Sequence, residues 1–153
     1  MSNHSHLRDV AVVLKILSQT KAQKQIGALP YRKQGRAIEV LLITSRETKR
    51  WVIPKGWPMK GKRDWNAAAK EAFEEAGIEG HVGGKSIGTY HYVKRKNSGN
   101  LDCEVTVYLL QVTRRMSEWP EKDQRRRKWF TAKEAATRVD EEGLKAIIAA
   151  TLA

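Results

Sequence analysis

The sequence predicts an α/β fold in which helix and strand alternate along the chain. Three observations carry that prediction. An aliphatic run, Val40-Leu41-Leu42-Ile43, reads as the centre of a strand; the alanine-rich stretch Trp65–Ala76 reads as a helix; and Leu144, Ile147, Ile148 and Leu152 recur at helical spacing near the C-terminus. The 153 residues and 41% apolar content suit a single core. We expect one domain over residues 1–153, because no internal repeat, low-complexity tract or Gly/Ser/Pro-rich linker divides the chain. Residues 1–22 read as an N-terminal helical extension.

In chain order, Gln25–Arg32 and Ala37–Arg46 are expected strands joined as a hairpin through Lys33-Gln34-Gly35. After Trp51-Val52-Ile53 comes Pro54-Lys55-Gly56-Trp57-Pro58, where two prolines flanking a glycine predict a shaped loop without regular structure. A helix should start near Asp64 and stop at Gly77, the residue type favoured just past a helix end. Ile87–Lys94 and Asp102–Thr113 read as strands joined by Asn97-Ser98-Gly99-Asn100, Lys128–Thr131 as a short strand, and Ala132–Val139 and Glu141–Leu152 as helices.

Composition narrows the chemistry. The lone cysteine, Cys103, excludes an internal disulfide framework and any multi-thiolate zinc site, which fits a reducing cytoplasm. The apolar stretch Val10–Leu17 is broken by Lys15 and lacks a small-residue cleavage site, so it does not read as a signal peptide; no run is long enough to span a bilayer, and no membrane association is expected. The formal net charge of +12 is clustered at Lys60–Arg63, Lys94–Lys96, Arg114-Arg115 and Arg125–Lys128. Such charge attracts polyanions. Nucleic acid, anionic lipid headgroups and polyphosphate metabolites all meet that requirement.

On the expected helix, Glu71, Glu74 and Glu75 project onto one arc, while Trp65, Ala69, Ala72, Phe73 and Ala76 fall on another that can be buried. Clustered carboxylates repel unless cations compensate, and hard divalent ions take oxygen ligands of this kind together with waters and substrate phosphates. Ordinary solvent-facing glutamates would give the same local pattern. The surrounding spacing is more specific.

The stretch from Gly56 to Ile78 resembles the Nudix box, G-x5-E-x7-R-E-U-x-E-E-x-G-U, where U is aliphatic. Gly56, Glu71, Glu74, Glu75, Gly77 and Ile78 match in register and Ala72 fills the aliphatic position; Lys62 stands where the family has Glu, and Lys70 where it has Arg. Trp119-Pro120-Glu121, followed by the basic run and Lys128-Trp129-Phe130, is similar to the diphosphoinositol polyphosphate and diadenosine polyphosphate hydrolase branch. The resemblance implies an α/β/α sandwich with a mixed central sheet. It also implies a magnesium-dependent hydrolase of phosphoanhydride bonds, with manganese as a substitute metal. Its ligands would be Glu71, Glu74, Glu75 and the Lys55 backbone carbonyl, with Glu71 binding metal, acting as general base, or both.

The expected partner is a small polyphosphate, most directly a dinucleoside polyphosphate or a diphosphoinositol polyphosphate, contacted by cations among Lys55, Lys60, Lys62, Arg63, Lys70 and Arg126. Trp57 either stacks on a base or packs against the domain; Glu104 and Glu121 are the acids considered outside the box. The rival reading is a non-catalytic domain on the same fold that binds nucleic acid or a phosphorylated ligand.

Overall fold

A computed structural model describes residues 22–153, so the expected N-terminal extension lies, but for Ala22, outside the described residues. Among the described residues, seven strands, β1 (Gln23–Gln34), β2 (Ala37–Thr44), β3 (Trp51–Val52), β4 (Lys55–Gly56), β5 (Ile78–Lys94), β6 (Leu101–Arg115) and β7 (Arg127–Thr131), form one mixed sheet. Helix α1 (Asp64–Ala76) covers one face, and α2 (Ala132–Arg138) and α3 (Glu142–Thr151) cover the other. The architecture is the expected α/β/α sandwich.

Strand alternation builds the two cores. Leu41 and Ile43 of β2, Ile26 and Ala28 of β1, and Tyr108 and Leu110 of β6 pack under α1 with Ala67, Ala68, Ala72 and Ala76. Their sequence neighbours Val40, Leu42, Leu29, Val105 and Val107 face α2 and α3, where Leu144, Ile147 and Ile148 meet them. The alanines leave α1 a nearly flat buried stripe, which lets it lie close to the sheet.

β1 is the organising strand. It runs parallel to β6 along one edge, and along the other it pairs antiparallel first with β4, at Ile26 and Gly27, and then with β2, from Tyr31 onward. Pro30 has no N–H to offer and sits where β4 has ended and β2 has not begun, so no ladder bond is lost on that side. The pairing of Lys55–Gly56 with β1 corrects the expected irregular loop: prolines flank the segment, but two residues between them still complete a ladder.

Two further expectations are corrected. β5 begins at Ile78, immediately after α1, rather than at Ile87, and it tolerates Gly80, Gly83 and Gly84 through register shifts between Glu79/Gly80, Val82/Ser86 and Ser86/Gly88. On α1 the buried arc is Ala67, Ala68, Ala72 and Ala76 with Glu75, whereas Phe73 and Ala69 remain partly exposed. The helix stops as predicted: Gly77 adopts φ 64°, ψ 41°, and its N–H bonds back to the Phe73 carbonyl.

Gly77 is constrained twice, because its φ is left-handed and a Cβ there would collide with the Trp119 indole; Gly61 has φ 77° but open space around it. Gly61→Ala should cost about 1–2 kcal/mol for the backbone alone, and Gly77→Ala that amount plus roughly 1–3 kcal/mol of overpacking. Urea unfolding of both variants checks the difference, and equal midpoints would remove the Trp119 contact from the account.

Candidate active site

The box helix delivers its acids to a cleft of about 400 Å³ whose walls include Gln25, Trp57, Glu71, Glu75, Tyr92 and Arg125. The loop ahead of α1 makes this geometry. Gly56 packs so tightly on Glu71 that a Cβ there would lie 2.5 Å from the carboxyl carbon and 2.6 Å from Oε1. Only a glycine admits the carboxyl group this close to the main chain. One residue earlier, the Lys55 N–H donates to Glu75 Oε1 at 3.2 Å. The backbone of Lys55–Gly56 and the side chains of Glu71 and Glu75 therefore share one small volume.

Glu75 is 7% exposed. Burial pushes its carboxyl up to about 8, against the opposing pull of Arg125 and Lys55. Burial also raises Glu71, which is hydrogen-bonded to Glu75 and repelled by Glu74 and Glu121. Lys55 is shifted the other way: burial lowers its ammonium despite the attraction of Glu75 and Glu141, and its Nζ lies 4.9 Å from the Tyr92 ring centroid. Tyr92 itself donates to Gln25 Oε1 at 2.6 Å.

Arg125 ties the floor together. Its Nη2 lies 3.6 Å from Glu75 Oε2, its Nε donates to Glu121 Oε1 at 2.9 Å, and its Nη1 donates to the Thr44 carbonyl at 3.2 Å. The segment carrying Glu121 docks on the end of α1: the Glu121 N–H donates to the Glu74 carbonyl at 3.0 Å, and Trp119 Nε1 to the Glu75 carbonyl at 3.3 Å. Arg127 stacks 3.9 Å over the Trp119 ring and donates to the carbonyls of Ala76, Gly77 and Met116.

The structure brings together Glu71, Glu75 and Lys55 in the cleft. Glu74 stands beside them on α1 and accepts an ion pair from Lys70 at 3.8 Å, the i,i+4 spacing expected of that pair. Lys60, Lys62 and Arg63 are exposed on the loop before α1 and do not line the cleft. Arg126 lines an adjacent depression with Lys49 and Lys122, while its neighbour Arg125 enters the site. Glu104 pairs with His91 on the β5–β6 ladder at 3.6 Å, away from the acids of α1, whereas Glu121 joins them. Sequence reasoning did not single out Tyr92, Gln25 or the particular role of Arg125. Nothing local in the sequence marks them, because β1, β5 and the turn before β7 meet only in the fold.

Among the described residues, no three acidic, histidine or cysteine side chains stand in ready metal-ligating geometry, since Glu74 is turned to Lys70 and Glu75 to Arg125. The donor chemistry nonetheless fits a hard divalent cation: carboxylate oxygens within one helical turn, beside a main-chain segment, with proton affinities raised because the protein's own cations do not offset their burial. Among the described residues no helix is long and apolar enough to cross a membrane.

Comparison with known proteins identifies the family. A family model described as NUDIX domain matches residues 21–150. Nudix hydrolase 16, mitochondrial, of Arabidopsis thaliana is 31% identical over 71% of this chain and 68% of its own length. Diphosphoinositol polyphosphate phosphohydrolase 2 of Rattus norvegicus is 29% identical over 74% of this chain and 60% of its own, so the chain spans about three fifths of that relative. Among solved structures, a Caenorhabditis elegans Ap4A hydrolase in binary complex superposes with a TM-score of 0.61 at 22% identity, covering 82% of this chain and 92% of that one, a likeness of fold. With the box residues gathered on one helix above a cleft and the domain match running nearly end to end, the chain belongs to the Nudix hydrolase family.

Proposed function

We propose that this chain hydrolyses a phosphoanhydride bond in a dinucleoside polyphosphate or a diphosphoinositol polyphosphate, with magnesium, or manganese in its place, held by Glu71, Glu74, Glu75 and the Lys55 carbonyl. The observation that carries this reading is the packing of the Glu71 carboxyl group on Gly56, beside Glu75 and the Lys55 backbone, in a cleft with cations along its walls. The metal would polarise phosphoryl oxygen and lower the pKa of the attacking water. Glu71 would accept that water's proton, a role its raised proton affinity supports. Arg125 orients Glu75, and Lys70 steadies Glu74 as a point charge where the family's arginine would offer a planar fork. Cleft cations such as Arg46, Lys94 and Arg95 supply attraction for phosphates beyond the scissile bond. The buried, unpaired thiol of Cys103 supports residence in a reducing cytoplasm.

The substrate assignment is tested by kcat/KM for a graded phosphate series at fixed free magnesium and two salt concentrations. Dinucleoside polyphosphates or diphosphoinositol polyphosphates should exceed a nucleoside diphosphate sugar, and rates should fall with salt as screening shortens toward a Debye length of ~8 Å. A preference for nucleotide sugars rejects the substrate class; magnesium-dependent turnover of none of them favours the non-catalytic reading.

Substitution separates the roles of the glutamates. Glu71→Gln should lower kcat by about 10²–10⁴ at saturating magnesium, the range a positioned general base supplies. Glu75→Gln keeps an acceptor for the Lys55 N–H, so it should fold; its magnesium requirement should rise by at least about tenfold, as loss of even a supporting group does. Wild-type kinetics in both variants would sink the metal assignment.

Proton linkage gives an independent test without substrate. The Glu75 carboxyl lies at about 8 in the folded chain against an ordinary 4.5, so between those values the native state binds more protons than the unfolded one. Stability from this group is therefore fully present below about 4.5 and is lost as pH rises through about 8. Melting temperature in a chelator should fall across that interval, and magnesium should offset the fall because metal and proton compete for the same carboxylate. A melting temperature that magnesium leaves unchanged at pH 8 would contradict the ligand role.

A further inference from the structure

The acids of α1 do not account for one further buried carboxylate, which approaches the cleft from the other helical layer. Glu141 stands at the N-cap of α3, where a carboxylate ordinarily accepts from the helix's own first N–H groups, and it makes no such bond. Its side chain is 8% exposed, and its Oε1 accepts instead from Arg50 Nη1 at 2.5 Å. Neighbouring contacts fix this geometry. Val139 bridges Trp51 in parallel, which lays the chain before α3 alongside Arg50. Gly143 packs so closely on Tyr90 that a Cβ there would lie 2.8 Å from the Tyr90 Cβ, which seats the first turn of α3 against β5. Arg50 is held from its own side as well, its N–H donating to Ser45 Oγ at 3.2 Å and its carbonyl accepting from the Ser45 N–H at 2.8 Å.

The pairing uses only one end of each group. Among the described residues, Glu141 Oε2 is buried with no hydrogen-bond partner, and Nε and Nη2 of Arg50 have none either. A carboxylate and a guanidinium that served stability alone would close two parallel bonds and leave no buried acceptor unmet. Here the guanidinium is anchored at one nitrogen, while its other donors belong to a side chain that lines the cleft and is 30% exposed. We propose that Glu141 is a positioning residue for the substrate's phosphates, holding Arg50 so that the free edge of its guanidinium takes two phosphate oxygens in the cleft. The inference rests on the reading above that a polyphosphate is bound and cut here. Charge and position pull in opposite directions at Glu141. It is an anion beside a cleft that takes anions, so by charge alone its removal draws a polyphosphate in more tightly. Acting through Arg50, its removal loosens the planar fork and weakens binding. Glutamine separates the two effects, because its amide oxygen still accepts from Nη1 while the negative charge is gone.

Calorimetric titration of the full chain with inorganic tripolyphosphate, without added divalent metal so that nothing is hydrolysed, reads the effect directly. Arg50→Ala should weaken binding by about 10- to 150-fold, the range of charge-assisted hydrogen bonds. Glu141→Ala should weaken it by about 2-fold or more, the lower bound for coupled neighbours, and should add nothing further in the Arg50→Ala background. Glu141→Gln should bind at least as tightly as wild type. Binding that tightens or stays level in Glu141→Ala, or a loss that persists once Arg50 is gone, overturns the proposal. Should Glu141→Ala fail to fold, Arg50→Lys decides: it keeps the charge without the fork, so its affinity should fall between wild type and Arg50→Ala, and wild-type affinity overturns the role of the free edge. Hydrolysis assays report separately. Where turnover is present, Glu141→Ala should raise KM more than it lowers kcat. Coupling between Glu141 and Arg50 with no turnover of any polyphosphate rejects the enzymatic reading and leaves the positioning role standing, whereas turnover without that coupling does the reverse.

Discussion

The carbonyl end of α1 sets the terms for the rest of the site. Glu71, Glu74 and Glu75 occupy the last six residues of a helix whose C-terminus already carries partial negative charge, and its last turn contains no basic residue. The acids in that last turn, Glu74 and Glu75, are each unfavourable by about 0.3–1 kcal/mol. The opposing charge comes from distant parts of the chain. Arg127, on β7, donates to the carbonyls of Ala76 and Gly77, and Trp119 and Glu121 bond the carbonyls of Glu75 and Glu74. The Arg127 bonds are charge-assisted and contribute roughly 1.5–3 kcal/mol each, while the neutral N–H donors of Trp119 and Glu121 contribute about 0.5–1.5 kcal/mol each, together more than the electrostatic penalty of the acids. The two glutamates are held by their own main chain as well as by helical geometry, and Gly77 must be a glycine because Trp119 lies over it.

That docked segment also furnishes the floor of the cleft. Having placed Trp119 and Glu121 on α1, the chain turns through Lys122–Gln124 and brings Arg125 between Glu75 and Glu121. Glu71, Glu75 and Glu121 then share a partly buried space with Arg125 and Lys55, and Glu141 and Arg50 stand near enough to act on Lys55. Burying ion pairs is costly unless every charge is well compensated. The upward shifts of Glu71 and Glu75 come first from burial of their carboxyls, which the neighbouring cations do not offset. On the proposed reading, the same incomplete compensation would make the floor receptive to a divalent ion.

Much of this was legible in the sequence, and what was not has definable causes. The helix over Asp64–Ala76, its stop at Gly77, the β1–β2 hairpin and both C-terminal helices follow from local periodicity and turn chemistry, and the Gly56-to-Ile78 spacing picked out Glu71, Glu74 and Glu75. The start of β5 was hidden because Gly80, Gly83 and Gly84 remove the apolar alternation that marks a strand, while pairing with β6 holds it extended regardless. Lys55–Gly56 looked like loop because its flanking prolines are the dominant local signal, whereas its strand character is conferred by β1. Charge runs showed where cations are dense but not which of them turns inward: Arg125 reaches Glu75 while Arg126 stays exposed, an alternation fixed by the approach to β7 rather than by composition.

The net charge of +12 acquires meaning from this arrangement. At the floor, cations offset only part of the charge of the protein's own acids; at the mouth, Lys94 and Arg95 have no carboxylate partner among the described residues and project their field outward. A polyanion is therefore drawn to the opening by one set of charges and resisted within by another. Phosphate and glutamate oxygens carry the same sign, and at separations near 4 Å in a partly desolvated cleft their repulsion amounts to a few kcal/mol, so close approach requires a cation between them. On the proposed reading, recognition at the mouth and metal binding at the floor would in that sense be coupled. The rim would attract a phosphorylated ligand by itself, but the ligand's scissile end would settle against Glu71 only once the site's own negative charge had been balanced.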